Sequence, residues 1–421
     1  MSKKALLITR AYYPSNASGA QRPVKLAKYL PAFGWTPVVL CAEWTPENAG
    51  DMYDPLLAAQ PDVCRTVRIP YPTMPPTRIG RAPRRVAEIL FPYRAPFGFT
   101  RRMLAAAEDL VRQEHFDVIW STYTPGQTHH VASRIARRYG IPWVADFRDL
   151  PDQFVHYGWR DRRVLKAERR VCWGATVMTA TTSWQAQRLT KSYGVPCHVV
   201  PNGFDPDDYP PVRGGPSEKF TIAYFGSLHT YRNPQVLFEA LERLIAAGEV
   251  DRGAIRVLFY VTGEDLLKPW LAPYHNLQDN VEMYSRVCRD KMVRLMRESV
   301  VLLCLKSPEA GGSIPAKLFE YLGARRPILN VPGDGDLVDG VLDETRAGTS
   351  GSDPAEIADV LVTWYREWKA TGTVAYRGIP EKIARYTRKE QAGQLARIFD
   401  SLTVGGPGGL GHGQQIGVER D

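Results

Sequence analysis

What most constrains this chain is its rhythm. Short apolar runs bounded by turn residues alternate with stretches of helical spacing, and after a break rich in proline and glycine the alternation begins again. Alternation of this kind builds parallel sheets covered by helices. In the first half, 6–9 reads as a strand, 10–19 as a loop, 21–33 as a helix and 36–41 as a second strand. Residues 70–100 are proline-rich and read as irregular. A helix at 100–114, a strand at 117–121, a helix at 129–139 and strands at 142–146 and 175–180 follow. The break, 206–217, reads as a linker. The second half gives a strand at 220–225, a helix at 235–247, strands at 255–262 and 281–284, a helix at 290–299, and strands at 300–305 and 327–331. At 421 residues the chain is too long for one ordinary core. The fold class is α/β, with two Rossmann-like halves at 1–205 and 218–385 facing across a cleft. A helix at 386–403, amphipathic through Leu395, Ile398, Phe399 and Leu402, follows them, and a glycine-rich tail at 404–421 reads as disordered.

Several stretches carry chemistry. Gly312 and Ser313 come just before a helix with Pro315 in its first turn, on which Ile314, Leu318, Tyr321 and Leu322 form an apolar stripe. Lys317 and Glu320 lie together beside that stripe, three residues apart. Open backbone amides followed by a cation suit a phosphate, and a carboxylate one turn later can accept bonds from two ribose hydroxyls. In the first half, the strand ending in Asp146 runs on through Arg148 and Asp149. Ligands of open α/β sheets gather beyond such strand ends. Gly19 admits a close approach of backbone to a ligand, and Arg22 is placed to meet an anion. The opening βαβ unit has no G-x-G-x-x-G, so the dinucleotide fingerprint of oxidoreductases is missing.

Net charge is +9 and the pI about 9.2, which suits nucleic acid, an anionic membrane surface or a polyanionic small molecule. The densest basic stretch runs through Arg78, Arg81, Arg84, Arg85, Arg94, Arg101 and Arg102. Val86, Ile89, Leu90, Phe91, Tyr93, Phe97 and Phe99 are threaded through it, a mixture suited to a peripheral membrane contact at 78–102. No nucleic-acid-binding motif accompanies the charge, so a nucleic-acid partner is not expected. The six cysteines are scattered without paired spacing, which points to free thiols in a reducing cytoplasm and to no metal site. The apolar run at 5–8 is too short for a signal peptide, and no stretch is long enough to span a bilayer.

Taken in order, these residues resemble the retaining glycosyltransferases of the GT-B fold, family four, over about residues 3–403. The resemblance is carried by the Ser18–Gly19 loop, by Pro142 through Asp149, by Pro201–Asn202–Gly203–Phe204–Asp205, by Tyr224–Phe225–Gly226–Ser227–Leu228, and by Ile314 through Leu322. It implies a nucleotide-sugar donor, UDP- or GDP-linked, on the second half. Glu320 would take the ribose, and Lys317, Arg232 and the amides of Gly312, Ser313 and Ile314 the diphosphate. Gly226 and Ser227 would line that site, and backbone at Arg286 and Val287 would meet the base. The acceptor, a glycan, lipid-linked glycan or small molecule, would bind near Gly19, Arg22, Tyr123 and His129. Arg148, Asp149, Arg232 and Lys317 would serve catalysis, with retention and with no metal or cofactor. The last helix would cross back to the first domain. Two departures stand out: Gly312 replaces the first of two glutamates that the family spaces seven residues apart, and Arg148 stands where many relatives have a histidine. Other readings are a nucleotide-sugar epimerase using His129, His130 and Asp149, a non-catalytic scaffold, and a basic nucleic-acid-binding protein.

Overall fold

The computed structural model describes residues 2–73, 83, 86, 96–123, 126–150, 159–210, 218–229, 232–262, 264–306 and 311–403. The chain divides into two compact units, Met1–Val200 with Gln391–Asp421, and Pro201–Glu390. In the first unit β1 (Lys3–Ile8), β2 (Trp35–Glu43), β3 (Arg65–Pro70), β4 (Val118–Tyr123), β5 (Trp143–Phe147), β6 (Val177–Ala180) and β7 (Cys197–Val199) form a parallel sheet in the order β3-β2-β1-β4-β5-β6-β7. Alternate side chains of β1 serve opposite cores. Leu6 and Ile8 pack with Phe99, Met103, Val131, Ile135 and Leu189 of the helices Phe97–Gln113, Gln127–Tyr139 and Ser183–Tyr193. Ala5 and Leu7 pack with Val24 and Leu26 of the helix Ser18–Tyr29, and with Ala392, Leu395, Ala396 and Phe399 of the final helix Arg388–Thr403. Phe399 sits edge-on to Trp35 at 5.1 Å, and Asp400 accepts the Trp35 indole N–H at 3.1 Å. A large side chain buried in this way contributes roughly 1.5–3 kcal/mol.

The second unit repeats the plan. Here β8 (Phe220–Ser227), β9 (Ile255–Thr262), β10 (Val281–Tyr284), β11 (Val301–Leu305), β12 (Ile328–Val331) and β13 (Gly348–Ser350) lie parallel in the order β10-β9-β8-β11-β12-β13. The helices Gln235–Ala246 and Pro354–Thr371 cover one face, and Arg289–Glu298, Ala316–Ala324 and Leu337–Thr345 the other. Both strand orders reverse beside the first strand, between β1 and β4 and between β8 and β11. At such a switch point the neighbouring loops diverge and leave a crevice at the carboxyl ends of the strands.

The structure corrects the sequence reading in four places. Residues 201–205, read as the end of the first half, belong to the second unit: Phe204 N–H bonds to the Tyr386 carbonyl at 3.0 Å. The segment read as a linker opens with a 3-10 turn, Pro206–Asp208, packed into that same unit; 211–217 lie outside the described residues. The reading gives no strand at β3, β7 or β13, which are the sheet edges, short and partly exposed, and lack the continuous apolar run of a buried strand. The helix read at 21–33 begins at Ser18 and tightens to a 3-10 turn at Leu30–Phe33, where Pro31 has no N–H to give. All six cysteines are free thiols.

His129, read as an acceptor-side residue, lies in the core of the first unit and is fully buried. Its ring sits among Tyr123, Trp143 and Phe147 at centroid distances of 6.0, 5.8 and 4.9 Å. The Trp143 indole donates to Ser121 Oγ at 2.8 Å, and that oxygen shares a hydrogen bond of 2.7 Å with His129 Nδ1. Nε2 has no partner among the described residues. Burial pushes the imidazole down to about 3, with Asp146 opposing weakly. The folded value lies below the 6.5 of an ordinary histidine, so the neutral ring favours the folded state. This contribution is complete above pH 6.5 and is lost as the pH falls toward 3. We predict that His129→Phe flattens the acid limb of the stability–pH curve, followed by urea unfolding between pH 7 and pH 4. Parallel curves for wild type and variant would contradict the assignment.

Candidate functional site

The best-formed site lies in the second unit, at the start of the helix Ala316–Ala324. Pro315 stands at the N-cap and provides no side-chain cap. Leu318 N–H returns to the Pro315 carbonyl at 3.0 Å, while the N–H groups of Ile314, Ala316 and Lys317 have no acceptor among the described residues. Open amides at the positive end of a helix dipole form an anion site. Gly312 is buried with φ +74°, a conformation that costs a residue bearing a Cβ roughly 1–2 kcal/mol. The backbone itself therefore favours glycine where the family has its first glutamate.

Glu320, on the same helix, is 15% exposed and held by two cations. Arg289 Nη1 donates to Oε1 at 3.0 Å and Lys317 Nζ donates to Oε2. Arg289 also donates through Nη2 to Asp208 Oδ2 at 2.8 Å, and Tyr209 Oη donates to the Glu320 carbonyl at 2.9 Å. Burial alone would raise the Glu320 carboxyl, but Lys317 and Arg289 outweigh it and hold it at about 2. Glu320 is thus an ionised, acceptor-only group at any working pH. Burial works against the Arg289 charge as well, and Glu320 and Asp208 more than offset it. Asp208, Arg289, Glu320 and Lys317 form one alternating chain of charges, 31% exposed at its Lys317 end.

The remaining residues named for this half border the same strand ends. Gly226 and Ser227 close β8. The Ser227 carbonyl accepts from Tyr224 Oη at 3.1 Å and from Arg232 Nη1 at 3.4 Å, and Ser227 Oγ accepts from Thr262 at 3.0 Å. Arg286, exposed, and Val287, half-buried against the second unit's core, follow β10. Ser313 and Ile314 lead into the helix.

In the first unit the strand-end carboxylates have separate fates. Asp146 is fully buried and accepts from Arg22 Nε at 3.1 Å, Arg22 Nη2 at 2.7 Å, Thr122 at 2.8 Å and Thr179 at 2.7 Å. Burial raises its carboxyl and these donors lower it further, so it stays ionised. Arg22 does meet an anion, as its position suggested, but the anion is Asp146, and at 1% exposure the guanidinium is not an acceptor-side group. Arg148 lies against Gly19 so closely that a Cβ there would fall 2.5 Å from Nη1, and the guanidinium would have to shift to admit one. Its Nε donates to the Tyr123 carbonyl at 2.9 Å. Burial lowers the Arg148 pKa against the pull of Asp149 and Asp146, and burial raises the Asp149 carboxyl against the pull of Arg148. The pair is therefore half-buried and electrostatically soft. Of the residues named for the epimerase reading, His129 is sealed in the core, while His130 and Asp149 are half-buried.

Of the basic stretch at 78–102 only residues 83, 86 and 96–102 are described; Arg78, Arg81, Arg84, Arg85 and Arg94 lie outside the described residues. Val86 and Phe97 are about half exposed, at 52% and 50%, whereas Phe99 is buried. Among the described residues no helix is long and apolar enough to cross a membrane. Sequence reasoning missed Arg289, Asp208 and the buried Lys306; the Arg-Asp pair Arg289–Asp290 at a helix start was the available signal for the first.

Residues 19–203 match the family profile described as a glycosyl transferase 4-like domain. No curated protein sequence matches the chain. Among solved structures, sucrose-phosphate synthase from Thermosynechococcus elongatus superposes with a TM-score of 0.65 at 15% identity, over 96% of this chain and 99% of that one. HepE from Anabaena, in complex with UDP and glucose, gives a TM-score of 0.60 at 14% identity over 95% and 100%. A glycosyltransferase from Rickettsia africae ESF-5 gives 0.62 at 12% identity over 95% and 98%. Residues 19–203 thus resemble a glycosyl transferase 4-like domain, within a chain that has the two-domain GT-B fold of these structures.

Proposed function

We propose that this protein moves a hexosyl group from a nucleotide-sugar to an acceptor hydroxyl with retention of anomeric configuration, in polysaccharide, glycolipid or other glycoconjugate synthesis. The observation that carries the reading is Glu320, held ionised between Lys317 and Arg289 one turn after three open amides. A ribose presents two hydroxyl donors to such a carboxylate, and a diphosphate matches the amides and Lys317. HepE is described in complex with UDP-glucose, which supports a UDP-linked donor.

Cleavage of the anomeric carbon–phosphate bond leaves a diphosphate of growing negative charge. Lys317, Arg232 and the helix N-terminus would stabilise that charge where it develops, with no metal in the scheme. Arg148 would act as a fixed cation and cannot serve as a base. The acceptor proton would pass either to the departing phosphate or to Asp149, its carboxyl raised by burial. The +9 charge and the stretch at 78–102 support a cytoplasmic enzyme working at an anionic membrane surface on a glycan or lipid-linked acceptor.

The test is thermal unfolding with UDP, GDP, ADP and TDP at millimolar concentration. A ligand at one hundred times its Kd stabilises the folded state by about 2.7 kcal/mol. One nucleotide should raise the melting temperature of wild type, and Glu320→Ala should lose most of that shift. If no nucleotide shifts wild type, or the variant responds equally, the donor site is misassigned.

A further inference from the structure

Beside the donor site lies a buried cation to which the scheme above gives no role. Lys306 follows β11 directly, on one side of the switch point between β8 and β11. Its side chain is 3% exposed, which for a lysine calls for compensation. Among the described residues, Ser313 and Asp334 compensate it. Nζ donates to the Ser313 carbonyl, and it lies 3.6 Å from Asp334 Oδ2, itself 4% exposed. Asp334 is in turn fixed by the N–H groups of Asp336, Val338 and Asp339, each at 3.1 Å. A rigid turn after β12 thus holds a cation, and the cation holds one carbonyl of the loop that leads into the helix Ala316–Ala324.

The choice of carbonyl matters. In a trans peptide the C=O and the following N–H point in opposite directions. Anchoring the Ser313 oxygen on Lys306 therefore turns the Ile314 N–H away from Lys306, and that N–H is one of the three open amides at the helix start. Rotation of this peptide plane, about ψ of Ser313 and φ of Ile314, would carry the amide away from that direction.

We infer that Lys306 is a positioning residue for the donor diphosphate: buried on Asp334, it fixes the Ser313–Ile314 peptide so that the amide faces the phosphate. The inference rests on the donor-site reading and deepens it. Lys306 does not touch substrate; it acts through the peptide it holds. Burial lowers its pKa, with Asp334, Asp336 and Cys304 pulling the other way. Loss of its proton would remove the pairing with Asp334.

The experiment is calorimetric titration of Lys306→Met and Lys306→Arg with the nucleoside diphosphate that stabilises wild type and with its monophosphate. Loss of one charge-assisted positioning contact should weaken the diphosphate about tenfold in Lys306→Met and the monophosphate about twofold or less, with recovery in Lys306→Arg. A merely structural role would weaken both ligands alike, and that result, or no change, overturns the inference. If Lys306→Met does not fold, the ratio of diphosphate to monophosphate affinity is followed with rising pH. The ratio should fall in wild type below the pH range where lysines ordinarily lose their proton, and hold in Lys306→Arg; equal profiles overturn the inference. Wild type that binds no diphosphate refutes the donor site itself, whereas wild type that binds one with an unchanged Lys306→Met refutes only the positioning role.

Discussion

A parallel sheet must be covered on both faces, and most of this chain follows from that requirement. Strands such as β5 and β11 are buried along their whole length, so they have no room for chemistry. Crossover helices fill both faces, and the final helix helps close one face of the first sheet through Leu395 and Phe399. What is left for polar function is the set of loops at the carboxyl ends of the strands, and the crevice opens where the strand order reverses. Gly19, Tyr123 and Arg148 in one unit, and Ser227, Arg232 and the 311–315 loop in the other, all follow strands of this kind.

Within that frame the two units use buried carboxylates differently. Asp146 is saturated: four donor contacts, two of them from Arg22, leave nothing for a ligand, and removing either partner would strand a buried charge. Glu320 is held by charges alone, from Lys317 and Arg289, and retains some exposure. In the proposed donor site its partners would exchange for ligand hydroxyls, with Arg289 keeping Asp208 as a second anion. The same residue pairing is structural in the first case and adaptable in the second, and solvent access decides which.

Much of this was legible in the sequence, for physical reasons. The central strands announce themselves as continuous apolar runs, and Lys317 and Glu320 are three residues apart on one helix, so local spacing was enough to bring them together. The edge strands β3 and β13 were not legible, because they leave their side chains partly exposed and lack a continuous apolar run. Arg289 lies 31 positions from Glu320 and 81 from Asp208, and only the folding of the second sheet brings the three together. Arg22 and His129 show the opposite failure. Their chemistry invites a functional reading, but Arg22 is neutralised by a carboxylate 124 residues away and His129 by aromatic burial, and neither partner is visible to local pattern.

The central claim is that a nucleoside diphosphate sits on the start of the helix Ala316–Ala324. Amide hydrogen exchange, with and without the diphosphate that stabilises the protein, tests it most directly. The account predicts slowed exchange concentrated at residues 311–318 and 286–289. Binding accompanied by protection elsewhere, with the helix start exchanging as fast as in the free protein, would contradict it.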